Sequence, residues 1–266
     1  MSPRPELPDL TDQWIVITGG NGHLGTSLVT ALTRVNANVL IVDKHESVGP
    51  NVPVSRSDNK SEIDYYCCDL EKEEQRNSLI RYISQSIGRL DSLVNNAAFV
   101  GDSNLEGWSK PFDEQSLSAW RRAIEVNLTA PFHLSQALSP LLSASQIGTI
   151  VNITSIYAHL GPDLRLYEGT EMNNPVAYGV SKAGLTQLTR SLATVLSPSI
   201  RVNAIAPGGI FRDQDDAFVR RYIDRTPLKR MASEDDLIWA TIFLCTPMSS
   251  YMTGQTLTVD GGFGVW

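Results

Sequence analysis

The sequence has few cysteines, no long apolar run and no signal-peptide pattern. Three of its 266 residues are cysteines, and two of these, Cys67 and Cys68, are adjacent. They form neither a disulfide framework nor a metal-ligand spacing, which favours a reducing compartment. No apolar run reaches the length of a membrane span, and the first ten residues contain no apolar core. We therefore expect a cytoplasmic protein with no membrane partner.

An excess of basic residues is also absent. The formal charge is −7 and the isoelectric point is near 5.1, which argues against nucleic acid or an anionic membrane as the main partner. The four histidines are scattered without a metal-like grouping, and no Gly-x-Ser-x-Gly elbow of a hydrolase occurs. These absences predict no metal, and they favour a small-molecule substrate.

What the chain does contain is a regular alternation of strand-like and helix-like segments. The β-rich runs predict strands at 14–18, 38–43, 63–69, 90–96, 148–154, 200–206 and 256–261. Helix-length segments lie between them at 23–34, 71–87, 116–142, 176–196 and 233–245. Continuous apolar runs are typical of strands covered on both faces. The pattern predicts an α/β fold: one Rossmann-type domain over residues 1–266, with a doubly wound, mostly parallel seven-stranded sheet and helices on both faces.

The first predicted strand ends in the glycine-rich stretch "TGGNGHLG" at residues 18–25. A glycine turn that opens a helix suits a phosphate, because backbone N–H groups and the helix N-terminus face the anion. A plain chain reversal is the alternative interpretation. The residues predicted to hold a dinucleotide here are Gly19, Asn21, Gly22, His23, Leu24 and Gly25.

The second predicted strand ends in a carboxylate, Asp43, eighteen residues past Gly25. A carboxylate there accepts hydrogen bonds from an adenosine ribose and repels a 2′-phosphate. It therefore favours NAD as the cofactor over NADP. The basic neighbour Lys44 argues the other way, and an ordinary strand-end or capping carboxylate is the structural alternative.

Seven motifs in order resemble the short-chain dehydrogenase/reductase family over nearly the whole chain. After the opening glycines come "CCDL" at 67–70, "NNAA" at 95–98, "VNITS" at 151–155, "YGVSK" at 178–182, "NAIAPGGI" at 203–210 and the segment 227–262. The resemblance implies further contacts with a nicotinamide dinucleotide. The residues at those positions are Asp69, Leu70, Asn96, Ala97, Tyr178, Lys182, Pro207, Gly208 and Ile210.

Tyr178 and Lys182 stand four residues apart and so share one face of a predicted helix. A free phenol titrates near about 10, and a nearby ammonium favours the phenolate. We therefore expect Tyr178 to exchange the substrate's hydroxyl proton, while Ser155 holds the substrate oxygen. In the family that the chain resembles, a helical asparagine, here Asn127, holds a water linked to the lysine. A core ring, a solvated lysine and a strand-end cap are the structural alternatives.

Two departures from the family pattern matter. The glycine spacing, Thr-Gly-x-x-Gly-x-x-Gly, resembles the two-domain sugar-nucleotide branch, and His23 stands where the single-domain branch has glycine. An epimerase or dehydratase with tightly bound NAD is therefore an alternative function, and a cofactor-binding protein without chemistry is another. Arg212 stands where the family often has a pyrophosphate-binding threonine.

Ser155 and Tyr178 lie 23 positions apart, a wider gap than most family members show. The segment 157–176 is predicted to enter the substrate pocket, and it resembles a bacterial oxidoreductase subgroup of surface-sugar and flagellin modification. Substrate contacts are predicted at Ser155, Tyr157, Arg165 and Tyr178, with Arg165 on a carboxylate or phosphate. An oligomer contact or a surface loop remains an alternative for this insert.

Together these features predict an NAD-dependent enzyme that interconverts a secondary alcohol and a ketone, on a sugar or sugar-acid substrate. Residues 211–226 are predicted to form a mobile cover over the bound cofactor. The apolar C-terminal stretch "GGFGVW" suggests a partner surface, so we expect a homotetramer or homodimer.

Overall fold

The computed structural model describes residues 8–49, 61–100 and 105–266. Within these ranges, seven strands form one sheet in the order β3-β2-β1-β4-β5-β6-β7. The strands are β1 (Trp14–Thr18), β2 (Asn38–Asp43), β3 (Ile63–Cys67), β4 (Ser92–Asn95), β5 (Thr149–Ile153), β6 (Arg201–Pro207) and β7 (Thr256–Val259). Every neighbouring pair is parallel, which confirms the predicted fold class.

The helices lie between the strands along the chain. They are α1 (His23–Arg34), α2 (Glu73–Tyr82), α3 (Leu117–Ile124), α4 (Ala130–Ala144), α5 (Val176–Val195), α6 (Asp216–Arg225) and α7 (Asp235–Cys245). Successive strand side chains point to opposite faces, so Ile15 and Ile17 pack with α1 and α7, whereas Val16 packs with α2, α4 and α5. The sheet is therefore covered on both faces, as its apolar strands require.

The strand order reverses between β1 and β4, because β2 and β3 lie on one side of β1 and β4 to β7 on the other. Ligands of open α/β sheets bind outside the carboxyl ends of the strands at such a reversal. The glycine turn follows β1, Asp43 ends β2, and Ser155 comes two residues after β5. Parallel pairing therefore brings the predicted site residues to one edge of the sheet.

The predicted helix over 116–142 forms as a continuous helical segment over 117–144, but it is not α-helical throughout. A π-helical turn at Glu125–Thr129 separates α3 from α4. The buried side chain of Asn127 lies within this turn and accepts a hydrogen bond of 2.6 Å from the backbone N–H of Phe99. Such single-turn π bulges are frequent at functional sites.

Candidate active site

The glycine turn packs directly against the start of α1. A Cβ added to Gly25 would lie 2.1 Å from the backbone oxygen of Gly19, and Gly19 itself has φ +65°, a conformation that favours glycine. The α1 N-cap, Gly22, supplies no side-chain hydrogen bond. The first-turn N–H groups of His23 and Leu24 have no intrahelical acceptors and border the cavity, so this cradle fits a pyrophosphate.

The carboxylate of Asp43 is buried beside the turn. Its Oδ2 accepts the backbone N–H of Asn21 at 3.0 Å, and its Oδ1 lies 2.7 Å from the Nδ1 of His45. Lys44 and His45 also line the cavity, so two basic residues flank the predicted ribose contact. The sequence interpretation included Lys44 but missed His45, whose nearness to Asp43 was the available signal.

The rim of the expected adenine site is formed by the residues that follow β3 and β4. Asp69 and Leu70 line the cavity, and Asp69 accepts the N–H of Glu71 at 3.0 Å. Glu71 pairs with Arg122 at 2.8 Å, and this hydrogen bond lowers the pKa of the Glu71 carboxyl. The Nδ2 of Asn96 donates to the oxygen of Gly19 at 3.0 Å, so Asn96 holds the glycine turn in place.

At the opposite end of the same cavity lie Ser155, Tyr178 and Lys182. Lys182 is 1% exposed, and its Nζ donates to the carbonyl oxygen of Ile153 at 2.7 Å. Its Nζ lies 6.0 Å from the centroid of the Tyr178 ring. The Ser155 side chain is near enough to Tyr178 to lower the pKa of the phenol, and its Oγ accepts the N–H of Tyr157 at 3.2 Å. Three of the four predicted catalytic residues, all except Asn127, therefore line the same cavity.

The electrostatics of this group add two residues to the expectation for Tyr178. Burial raises the pKa of Tyr178, and the Ser155 side chain and the charge of Arg212 oppose that rise. Burial also lowers the pKa of Lys182 to about 7. The sequence interpretation gave Lys182 alone as the protein group that favours the phenolate. Ser155 and Arg212 therefore act on the pKa of Tyr178 in the direction expected of Lys182, whose own effect on the phenol remains a prediction.

Asn127 does not line the cavity. Its Nδ2 donates to Ser181 Oγ at 3.0 Å and to the carbonyl oxygen of Phe99 at 3.2 Å. The amide thus joins the loop after β4 to α5, next to Lys182 in sequence. The role of Asn127 in holding a water remains a prediction.

The substrate end of the cavity is lined by aromatic residues from the insert and from α6. The hydroxyl oxygens of Tyr157 and Tyr167 lie 2.9 Å apart, and Asn174 Nδ2 donates to Tyr167 at 3.2 Å. Phe218 and Tyr222, four residues apart on α6, close the wall. The whole cavity measures about 570 Å³. The four-residue spacing of Phe218 and Tyr222 is an apolar helical pattern that the sequence interpretation missed.

The structure does not bring Arg165 to the cavity. Its exposed guanidinium pairs with Asp163 at 2.8 Å, so the prediction of a substrate contact through Arg165 needs correction. Asp163 also pairs with Arg225 at 2.6 Å, and Arg221 donates to the carbonyl oxygen of Glu168 at 2.6 Å. Helix α6, the centre of the predicted cover, is therefore tied to the insert.

Two absences complete the description of the site. Across the ranges 8–49, 61–100 and 105–266, no three His, Cys, Asp or Glu side chains form a group that could hold a metal ion. In the same ranges, no helix has the length and apolar character needed to cross a membrane.

The lowered pKa of Lys182 should make stability depend on pH. Between about pH 7 and pH 10.5, the unfolded chain keeps a proton on Lys182 that the folded chain has lost. Stability rises with pH wherever the unfolded state binds more protons, here by up to about 1.4 kcal/mol per pH unit. The unfolding free energy of the wild type, measured relative to that of Lys182→Met, should therefore increase between about pH 7 and about pH 9. Denaturant titrations measure this, and parallel pH curves for the two proteins would contradict it.

The chain is similar to a large group of known enzymes. A family model described as enoyl-(acyl carrier protein) reductase matches residues 21–264. The 7alpha-hydroxysteroid dehydrogenase of Escherichia coli (strain K12) is 31% identical over 254 residues, covering 93% of this chain and 92% of that protein. The probable galactose dehydrogenase GalD of Rhizobium meliloti (strain 1021) is 32% identical over 269 residues, covering 98% of each chain.

Solved structures are similar over the same extent. A short chain dehydrogenase from Leptospira borgpetersenii with bound NAD+ superposes with a TM-score of 0.83 at 32% identity, covering 96% of this chain and 94% of the other. A Beutenbergia cavernae protein with bound NADP, proposed to be an NAD(P)-dependent gluconate 5-dehydrogenase, has a TM-score of 0.83 at 27% identity, covering 97% and 99%.

Proposed function

We propose a function from the premise that this chain belongs to the short-chain dehydrogenase/reductase family of enzymes. It is an NAD-dependent oxidoreductase that interconverts a secondary alcohol and a ketone, on a sugar or sugar-acid substrate. The observation that carries the proposal is that one cavity contains both the glycine cradle and the group Ser155, Tyr178 and Lys182.

In this proposal the chain's own side chains manage the proton and the orientation of the substrate. A bound nicotinamide accepts or supplies the hydride. Ser155 hydrogen-bonds the reacting oxygen and holds it near the phenol of Tyr178. Tyr178 takes the hydroxyl proton during oxidation and returns one to the oxygen during reduction. Lys182, fixed on the carbonyl oxygen of Ile153, is placed to pass protons on from Tyr178.

A polyhydroxylated substrate fits the walls beyond Ser155. The hydroxyl groups of Tyr157 and Tyr167 supply polar atoms, whereas Phe218 and Met172 supply apolar surface. A sugar ring has hydroxyl edges and an apolar face, which match such a mixed lining. The names of two relatives, a galactose dehydrogenase and a proposed gluconate 5-dehydrogenase, support the same substrate class.

The glycine spacing favours a second candidate function, an epimerase or dehydratase that keeps its NAD bound. A panel of hydroxy- and keto-sugars and sugar acids, with one hydroxysteroid, distinguishes the two functions when it is followed by nicotinamide absorbance with NAD and NADP. The proposal expects net cofactor reduction with at least one sugar or sugar acid. Conversion without net reduction favours the second function, and turnover of the steroid alone contradicts the substrate class. A protein that binds the cofactor without chemistry would convert none of them.

We expect NADH to bind at least about tenfold more tightly than NADPH, a difference of about 1.4 kcal/mol. A 2′-phosphate beside the buried carboxylate of Asp43 would meet like charge, although the positive charge of Lys44 moderates the repulsion. Fluorescence titration of both reduced cofactors measures the ratio. Asp43→Asn should reduce the preference for NADH over NADPH. Asp224→Asn, an exposed control outside the cavity, should leave the preference unchanged. Tighter binding of NADPH by the wild type would overturn the preference.

Two expectations from the sequence belong to the same proposal. The exposed apolar side chains of Trp239, Tyr251 and Trp266 support a homotetramer or homodimer. Light scattering tests this, because a mass of one 29.2 kDa chain would contradict it. The cytoplasmic location also remains a prediction, which fractionation of the source cell tests.

A further inference from the structure

Arg212 lines the same cavity as Ser155, Tyr178 and Lys182. It follows the turn at 207–210, which also lines this cavity. Its charge opposes the burial-driven rise in the pKa of Tyr178, so the guanidinium is close enough for its charge to act on the catalytic phenol. The pyrophosphate cradle at His23 and Leu24, by contrast, lies at the start of α1.

The guanidinium is anchored on one side only. Its Nε donates to Glu234 Oε1 at 3.1 Å, and the backbone N–H of Arg212 donates to Gln214 Oε1 at 2.8 Å. Gln214 in turn donates to the carbonyl oxygen of Ile210 at 2.7 Å, which fixes the loop. Among the hydrogen bonds of the described ranges, none involves the two Nη groups of Arg212. These groups keep donors for a ligand.

Arg212 pairs with Glu234 through Nε alone, whereas the other arginines around the substrate end direct Nη groups to protein partners. Arg165 and Arg225 pair with Asp163, and Arg221 donates to backbone carbonyls of the insert. Arg122 lines the cavity, but it pairs with Glu71 at the adenine rim. Within the described cavity lining, Arg212 is therefore the guanidinium placed to meet a substrate at the catalytic end.

We propose that Arg212 binds a carboxylate of the substrate, so that the enzyme acts on a sugar acid rather than on a neutral sugar. This inference rests on the proposed function and narrows its substrate class. A guanidinium matches the planar geometry of a carboxylate and donates two parallel hydrogen bonds to it. The carboxylate lies beyond the carbon that is oxidised, because Ser155 and Tyr178 hold that carbon's oxygen.

The test uses the protein saturated with NADH and measures binding rather than turnover. Titrations with D-gluconate and D-glucuronate, each compared with neutral D-glucose, follow the fluorescence of the bound cofactor. The wild type should bind at least one acid more tightly than glucose. Arg212→Gln should weaken the binding of that acid at least about tenfold, the loss expected for a charged hydrogen-bonded pair. Arg212→Lys should recover part of it, and NADH affinity should stay within about twofold.

A matched control is Arg220→Gln, which removes the same charge from an exposed position of α6 outside the cavity lining. It should leave the binding of acid and of NADH unchanged. Two results would overturn the assignment: no preference of the wild type for either acid, or a loss of NADH affinity in Arg212→Gln with acid binding intact. Turnover of neutral sugars with either result would leave the proposed oxidoreductase function standing.

Discussion

Replacing Tyr178 with phenylalanine is expected to lower kcat by about 10²-fold to 10⁴-fold, the usual contribution of a positioned proton donor or acceptor. The change removes only the hydroxyl oxygen, which Ser155 contacts at the catalytic end of the cavity. The ring remains to fill its half-buried position. NADH affinity should therefore stay within about twofold, since the cradle at the other end is untouched.

Steady-state rates and NADH titrations on the same preparation measure both quantities. Tyr251→Phe is the matched control, because Tyr251 is 104% exposed and lies outside the cavity lining. It should keep the wild-type rate. A Tyr178→Phe enzyme that retains more than about a tenth of the wild-type rate would contradict the assigned role.

Substituting alanine for Gly25 is expected to abolish tight cofactor binding and to destabilise the fold. The added Cβ would lie 2.1 Å from the backbone oxygen of Gly19 and 2.7 Å from the Cα of Gly20. Backbone atoms cannot rotate away, so the turn must open or α1 must shift. We expect a loss of at least about 1–3 kcal/mol in unfolding free energy, as for overpacked sites. NADH affinity should fall at least about a hundredfold, because the first-turn N–H groups move.

Gly161→Ala provides the control for the same chemical change. A Cβ added to Gly161 meets nothing within 4 Å, so stability and NADH affinity should match those of the wild type. Thermal unfolding and cofactor titration compare the two variants. Normal NADH binding by Gly25→Ala would show that the turn does not need its close approach to Gly19.

The parallel sheet could be predicted because each of its strands is a short β-rich run, bounded by turns. The π-helical turn between α3 and α4 could not be predicted in this way. Asn127, within this turn, accepts a hydrogen bond from the backbone N–H of Phe99, 28 residues earlier in the chain. Helical periodicity over 116–142 contains no signal of that tertiary contact.

Some residues of the candidate site could likewise be predicted from the sequence, and others could not. Local patterns gave the glycine turn, Asp43 and the Tyr178–Lys182 pair, because their chemistry depends on neighbours in sequence. The lowered pKa of Lys182 depends instead on burial under the completed fold. The charge of Arg165 suggested a ligand, but the carboxylate of Asp163, two residues away, binds it. The aromatic wall also required the packing of α6 against the insert, two segments that are distant in the chain.

The most direct test of the central claim follows the transferred hydrogen. The claim is that a hydride passes between the substrate carbon and the cofactor beside Tyr178. The active compound from the panel, deuterated at its reacting carbon, is mixed with NAD and an equimolar amount of enzyme for one turnover. Mass spectrometry should find the deuterium in free NADH and a ketone as the product. Deuterium that returns to an epimerised product, with no NADH released, would contradict the proposed dehydrogenase.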